Sequence, residues 1–274
     1  MKACLSAIAL LCTGLAAGEA RGQLPALPEG ALTRWVVGQP YEIVAYVTFE
    51  PAAVERWRPR MLRFITVEEL AGSGVRWAAD YLIEHPTHGH RGISFLEIVR
   101  AGSFTIDGLA PSWPEDGAVA LWCARVAPSD PAMDLGPGRP LLLLDLWMPD
   151  RAYVASMLGK GHHAAYGDAR LVRNADGSWR GSVEVAGLSV VAECTPAGPV
   201  TGGAGSAGMQ ALFPPLSSAA RSVVRVAFAG HREQDCAGGS TWTIRGTHPL
   251  AGAVVLQPTV FEFGYDLIGG AYPQ

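Results

Sequence analysis

Lysine is almost missing from this chain of 274 residues. Of its 21 basic residues, 19 are arginine, and the two lysines are Lys2 and Lys160. Charge of either sign is scarce: charged residues make up 17% of the chain and hydrophobic residues 49%. That balance excludes a disordered chain, which needs low hydrophobicity and high charge. The formal net charge is −4, so no basic field exists to hold nucleic acid or an anionic membrane. The tryptophans are scattered and form no stacking motif for single strands. After the first 22 residues no apolar run could span a bilayer; the longest, such as Leu141–Leu144, are strand-sized. There is no G-x-S-x-G elbow, no P-loop and no G-x-G-x-x-G behind a strand, and Gly202–Gly205 lacks that context. Serine hydrolysis, nucleotide binding and dinucleotide chemistry are therefore disfavoured. Glycine (33) and proline (20) are plentiful without a collagen period, which implies many loops.

What is present begins with an address. Met1 and Lys2 precede an apolar stretch from Ala3 to about Ala17, followed by Gly18, Glu19, Ala20 and Arg21. The stretch is too short for a membrane span and has the flanks of a secretory signal peptide, read as residues 1–22. The expectation is an exported protein, periplasmic or extracellular. Removing the leader removes Cys4 and Cys12 and leaves Cys123, Cys194 and Cys236. In an oxidising compartment three thiols allow one disulfide and one leftover, and the spacing does not say which pair closes. All three as buried small hydrophobes is the other reading.

Residues 23–274 read as one domain. Tyr41–Phe49 alternates as a strand, and Pro51 opens a short helix ending near Trp57. Val75–Glu84 has helical spacing. From residue 92 onward the pattern is mostly strands, interrupted by a short helix over Asp150–Leu158. Asn174–Gly177 is a hairpin turn, and Pro196–Met209 is a Gly-rich loop. This predicts a mostly β, α+β fold: an antiparallel sheet closed into a barrel around an apolar cavity, with two or three short helices.

Three places could carry chemistry. Lys160 lies in Leu158-Gly-Lys-Gly-His-His163; an amine with apolar and cationic neighbours loses its proton readily and attacks carbonyls. Otherwise it is a solvated loop lysine. Glu97 sits in a strand pattern, on one face with Phe95 and Val99. Buried, it suits a general acid or base; exposed, it is an ordinary outer-face residue. His85, His88 and His90 could ligate a metal, but Pro86 and Gly89 give them no common face.

The order of segments resembles the acetoacetate decarboxylase-like family. The matching pieces are Tyr41–Phe49 with Glu50-Pro51 and its helix, Phe95-Leu-Glu97, Leu141–Trp147 with Asp150–Ala155, and Gly264-Tyr-Asp266. The resemblance implies a closed barrel, no cofactor, and Schiff-base chemistry on a β-keto acid or a related small carbonyl compound. It makes Lys160 and Glu97 the candidate catalytic residues, with His162 and His163 tuning the lysine or touching substrate. The family's Gly-x-Pro-Lys-Lys stretch is absent. Counted from the helix, its lysine falls near Ala165 or Tyr166, so Lys160 stands early. The leading expectation is an exported carbon–carbon lyase. The alternatives are a non-catalytic barrel binding an apolar small molecule and a His-rich metal-dependent enzyme. The partner is a small molecule, with no nucleic acid and no membrane span; self-association stays open.

Overall fold

The computed structural model describes residues 26–273, apart from 39, 101–102, 111–114, 204–207, 216–221, 229–230 and 264–266. The expected signal segment, Lys2, Cys4, Cys12 and the Gly264–Asp266 match lie outside the described residues. In chain order the strands are β1 (Thr33–Gly38), β2 (Tyr41–Phe49), β3 (Leu62–Phe64), β4 (Gly92–Arg100), β5 (Ser103–Ile106), β6 (Val119–Pro128) and β7 (Arg139–Met148). There follow β8 (Ala165–Tyr166), β9 (Asp168–Arg173), β10 (Trp179–Val185), β11 (Leu188–Cys194), β12 (Thr201–Gly203), β13 (Gly208–Phe213) and β14 (Ser222–Phe228). The last are β15 (His231–Asp235), β16 (Thr241–Gly246), β17 (Val254–Phe263) and β18 (Leu267–Pro273). The α-helices are α1 (Pro51–Val54), α2 (Val67–Gly72), α3 (Arg76–Glu84) and α4 (Arg151–Gly159).

A fourteen-stranded sheet follows the order β12-β15-β17-β2-β4-β6-β7-β13-β14-β18-β1-β5, with β3 added to β6 and β8 to β7. A smaller sheet runs β16-β11-β10-β9. Pairing is antiparallel except where β7 runs parallel to β8 and β13. The strict alternation of β2 drives the layering. Ile43, Ala45, Val47 and Phe49 point to one side and join Leu96, Ile98 and Trp122 against Leu171, Val183 and Val190 of the small sheet. Gly181 lets the two sheets approach: a Cβ there would lie 2.6 Å from the Ile43 side chain and 2.8 Å from that of Ile98. Val44, on the opposite face, joins Phe95, Cys123, Leu143, Leu212, Val224 and Ala271 in a second apolar cluster, closed over by Tyr153, Val154 and Met157 of α4. Helices α2 and α3 bury Val67, Leu70 and Tyr81 around Ile93.

The sheet does not close into a barrel, which corrects the expected fold. Its terminal strands, β12 and β5, hold three and four residues and bond only to β15 and β1 among the described residues. Edges this short resist further pairing. The small sheet covers the first face and helices α2, α3 and α4 cover part of the second, and the described residues hold four α-helices where two or three were expected. One is α2, set by a reciprocal capping box: the Glu69 amide donates to Thr66 Oγ1, and Glu69 Oε2 accepts from the Thr66 amide. Cys194 and Cys236 form a disulfide, tying the end of β11 to the chain just beyond β15, and Cys123 is free and buried. No helix among the described residues is long and apolar enough to cross a membrane.

Candidate functional site

Glu97 lies mid-strand, with Val44 of β2 and Leu121 of β6 directly across from it. Period-2 alternation places it with Phe95 and Val99 on the face of the second cluster, and brings Glu42, Val44 and Tyr46 onto the same side. Glu97 is set deep among protein atoms yet keeps some accessible surface, as do Tyr46, Val99 and Leu121 beside it. Glu97 is thus deep without being sealed from solvent. Burial pushes the Glu97 carboxyl up to about 7. Glu42 is more enclosed, at 8% exposure. Its carboxyl is raised well above the usual carboxylate range, first by burial and then by the charge of Glu97. Cys123 is raised by the same two causes.

Lys160 is not a floating loop residue. Asp150 caps the start of α4, accepting from the amides of Ala152 and Tyr153. At the other end the chain makes a Schellman turn: the His162 amide donates to Met157 O at 3.1 Å and the Gly161 amide to Leu158 O at 3.0 Å. Gly161 takes the left-handed conformation this turn needs, at φ 89°. Lys160 is the capping residue and its carbonyl accepts from Ser222 Oγ. Its half-buried Nζ rests on Ser156, bonding Oγ and, at 3.4 Å, the backbone carbonyl. Among the described residues no carboxylate forms an ion pair with it. Burial lowers the amine from its ordinary value, and the charge of Asp107 works against this.

Helix α4 packs its buried side into the apolar cluster that Glu97 also borders, but no interaction joins Lys160 to Glu97. The acid acting on Lys160 is Asp107, and the acid acting within the Glu97 environment is Glu42. The two neighbouring histidines part. His162 is 1% exposed, and among the described residues neither ring nitrogen has a hydrogen-bond partner. Burial holds it neutral, at about 4; the Ser222 backbone favours the charged form without closing a hydrogen bond, and Lys160 and His163 oppose it. It therefore brings no positive charge to Lys160 near neutral pH. His163 turns the other way, with Nδ1 3.2 Å from Leu144 O and its ring edge-on to Trp57 at 4.9 Å. By simple counting the family lysine would fall in β8, where Tyr166 is exposed beneath the Arg151 guanidinium.

The other histidines do not converge. His85 and His88 stack at 5.0 Å, His88 Nδ1 meets the Tyr81 hydroxyl at 2.6 Å, and His90 faces Glu50. No group of three metal-ligating side chains forms among the described residues. Two arrangements escaped the sequence reading. Glu42 was detectable, since it shares the alternation of Val44 and Tyr46. The Asp145–His248 contact was not, because 103 positions separate its partners. His248 Nε2 donates to Asp145 Oδ2 at 3.2 Å while Nδ1 accepts from the Leu250 amide, within a ring of Trp57, Trp122 and Trp147.

An open, strand-rich sheet carrying a helix-capped amine and, apart from it, two acids on one face of adjacent strands defines a class of fold before any name. Compared with solved structures, the chain resembles an acetoacetate decarboxylase-like enzyme from Sphingomonas wittichii RW1, with 13% identity and a TM-score of 0.50, over 89% of this chain and 92% of that one. It also matches acetoacetate decarboxylase (10% identity, TM-score 0.48, 91% and 89% covered) and the enduracididine biosynthesis enzyme MppR complexed with pyruvate (11%, 0.48, 89% and 88%). No family model and no curated protein sequence matches. The chain has the acetoacetate decarboxylase-like fold, in a far-diverged sequence. That likeness rests on the path of the whole chain and does not require the sheet to close.

Proposed function

We propose that this is an exported protein of the acetoacetate decarboxylase-like fold that binds a small carbonyl compound and forms an imine with it through Lys160. One observation carries this reading: the sole lysine among the described residues is fixed at a helix end over an apolar cluster, and burial lowers its amine against the opposing charge of Asp107, with which it forms no ion pair. The neutral amine adds to a ketone carbonyl and expels water. With a β-keto acid, the electron pair of the bond to the carboxylate passes into the imine as carbon dioxide leaves. The resulting enamine takes a proton on carbon, which Glu97 supplies because burial raises its carboxyl to about 7, so that a substantial share holds a proton near neutral pH. Hydrolysis then frees the ketone and the amine. Export is supported by the apolar start of the sequence and by the Cys194–Cys236 disulfide.

Borohydride reduction in the presence of acetoacetate or pyruvate tests the reading. A mass increase that Lys160→Ala abolishes is the expected result; no adduct across a panel of keto acids overturns it. The absence of any interaction between Lys160 and Glu97 favours a second reading, a protein that binds an apolar small molecule without chemistry. Ligand binding that persists in Lys160→Ala, with no trapped adduct in the parent protein, identifies that case.

A further inference from the structure

The sheet face around Glu97 holds two acids and nothing that answers them. Glu42 and Glu97 lie on adjacent strands, on one face, two positions apart in register. Glu42 is more than nine-tenths buried, and among the described residues neither carboxyl makes a hydrogen bond or an ion pair. Around them stand Val44, Leu121 and two aromatic rings, Tyr46 and Phe95, with centroids 6.4 Å apart in an edge-on pair. Among the described residues the other titratable or charged groups on this face are the Tyr46 phenol, Cys123 and, two residues further along β6, the buried Arg125. Arg125 and Lys160 are both missing from the groups that act on either carboxyl. Unanswered buried carboxyls are costly unless a counter-charge arrives or they keep their protons. Glu97 retains accessible surface, so a counter-charge can arrive from outside.

We propose that the Glu42–Glu97 face is a binding site for a small organic cation, an ammonium or guanidinium group carried on an apolar body. Both carboxylates embrace the charge, the rings of Tyr46 and Phe95 border the cation, and Val44 and Leu121 receive the body. The cation takes the place of a proton held by the pair, so binding releases acid to solvent. This site stands without the imine reading but shares Glu97 with it, and a cation bound there leaves Glu97 ionised and not a proton donor.

Calorimetric titration of the mature chain tests the site with three probes of matched size: butylammonium, butanol and butyrate. At pH 7, in phosphate and in MOPS, butylammonium is expected to bind at least about tenfold more tightly than butanol or butyrate. The difference in heat between the two buffers should report release of up to about one proton per bound cation. Glu42→Gln and Glu97→Gln should each weaken butylammonium binding at least about tenfold while leaving the weak butanol affinity unchanged. Equal or tighter binding of butyrate or butanol overturns the proposal, as does failure of butylammonium to bind at millimolar concentration. Binding that neither substitution changes also overturns it. The three-probe comparison on the parent protein needs no variant, so a variant that fails to fold does not rescue the idea.

Discussion

His162 shows how burial can invert the role suggested by composition. Next to a lysine, a histidine invites a reading as a tuning cation, yet this ring is enclosed with both nitrogens unpaired and held neutral. An enclosed polar atom without a partner forfeits its hydrogen bonds to water and gains nothing in return. Replacing His162 with leucine, of similar volume, removes that penalty. We expect His162→Leu to stabilise the protein at pH 7 by about 1–3 kcal/mol, measured by urea unfolding. A loss of stability would mean that the ring is satisfied by an ordered water. Glu97 is the contrasting case. Its strand, its face and its apolar neighbours were all legible from period-2 alternation, because one strand and its pattern decide them. Which side of the sheet is interior was not, because that depends on where the small sheet and α4 pack.

At the scale of elements, the end of α4 decides how the only described lysine is presented. A Gly-Lys-Gly sequence reads as loose chain when glycine is taken only as freedom. Here Gly161 supplies the left-handed residue of a Schellman turn, and its freedom is spent on fixing Lys160. Gly161→Ala should cost about 1–2 kcal/mol, the strain of a left-handed alanine. It should also loosen the turn and let Nζ reach water. The pH dependence of Lys160 acylation, read by mass spectrometry, should then move upward towards ordinary lysine behaviour. An unchanged profile would show that Ser156 alone holds the amine. The same principle explains other misreadings. The Thr66–Glu69 capping box is legible in the sequence, yet the expected helices do not include α2. By contrast β1, β12, β15 and β18 carry weak or Gly-rich patterns, and they become strands through neighbours distant in sequence.

For the whole molecule, closure was the feature least accessible to sequence reasoning. Alternation shows that a strand has an inside; it does not show whether the first and last strands of a sheet meet. The ionisable interior offers a global test of the packing that is seen. Glu97 titrates at about 7 in the folded chain, above its unfolded value, so the folded state takes up a proton first as pH falls. Its contribution is fully present below about pH 4.3 and is lost as pH rises through 7. Glu42 acts in the same direction. His162 titrates at about 4, below its unfolded value, so its contribution is present above about pH 6.5 and is lost as pH falls through 4. Either shift corresponds to at most about 3.5 kcal/mol, and the carboxyls and the histidine act in opposite directions over one interval. The lowered carboxyls of Glu55, Glu69 and Asp176 act mainly below it. Two raised carboxyls outweigh the one histidine, so urea unfolding of the parent protein should show stability rising as pH falls from about 6.5 to 4.5. Glu97→Gln should flatten that rise, because Glu42 then only offsets His162, and His162→Leu should steepen it. Parallel profiles for the three proteins would mean that these side chains are hydrated, and that the second apolar cluster does not enclose them.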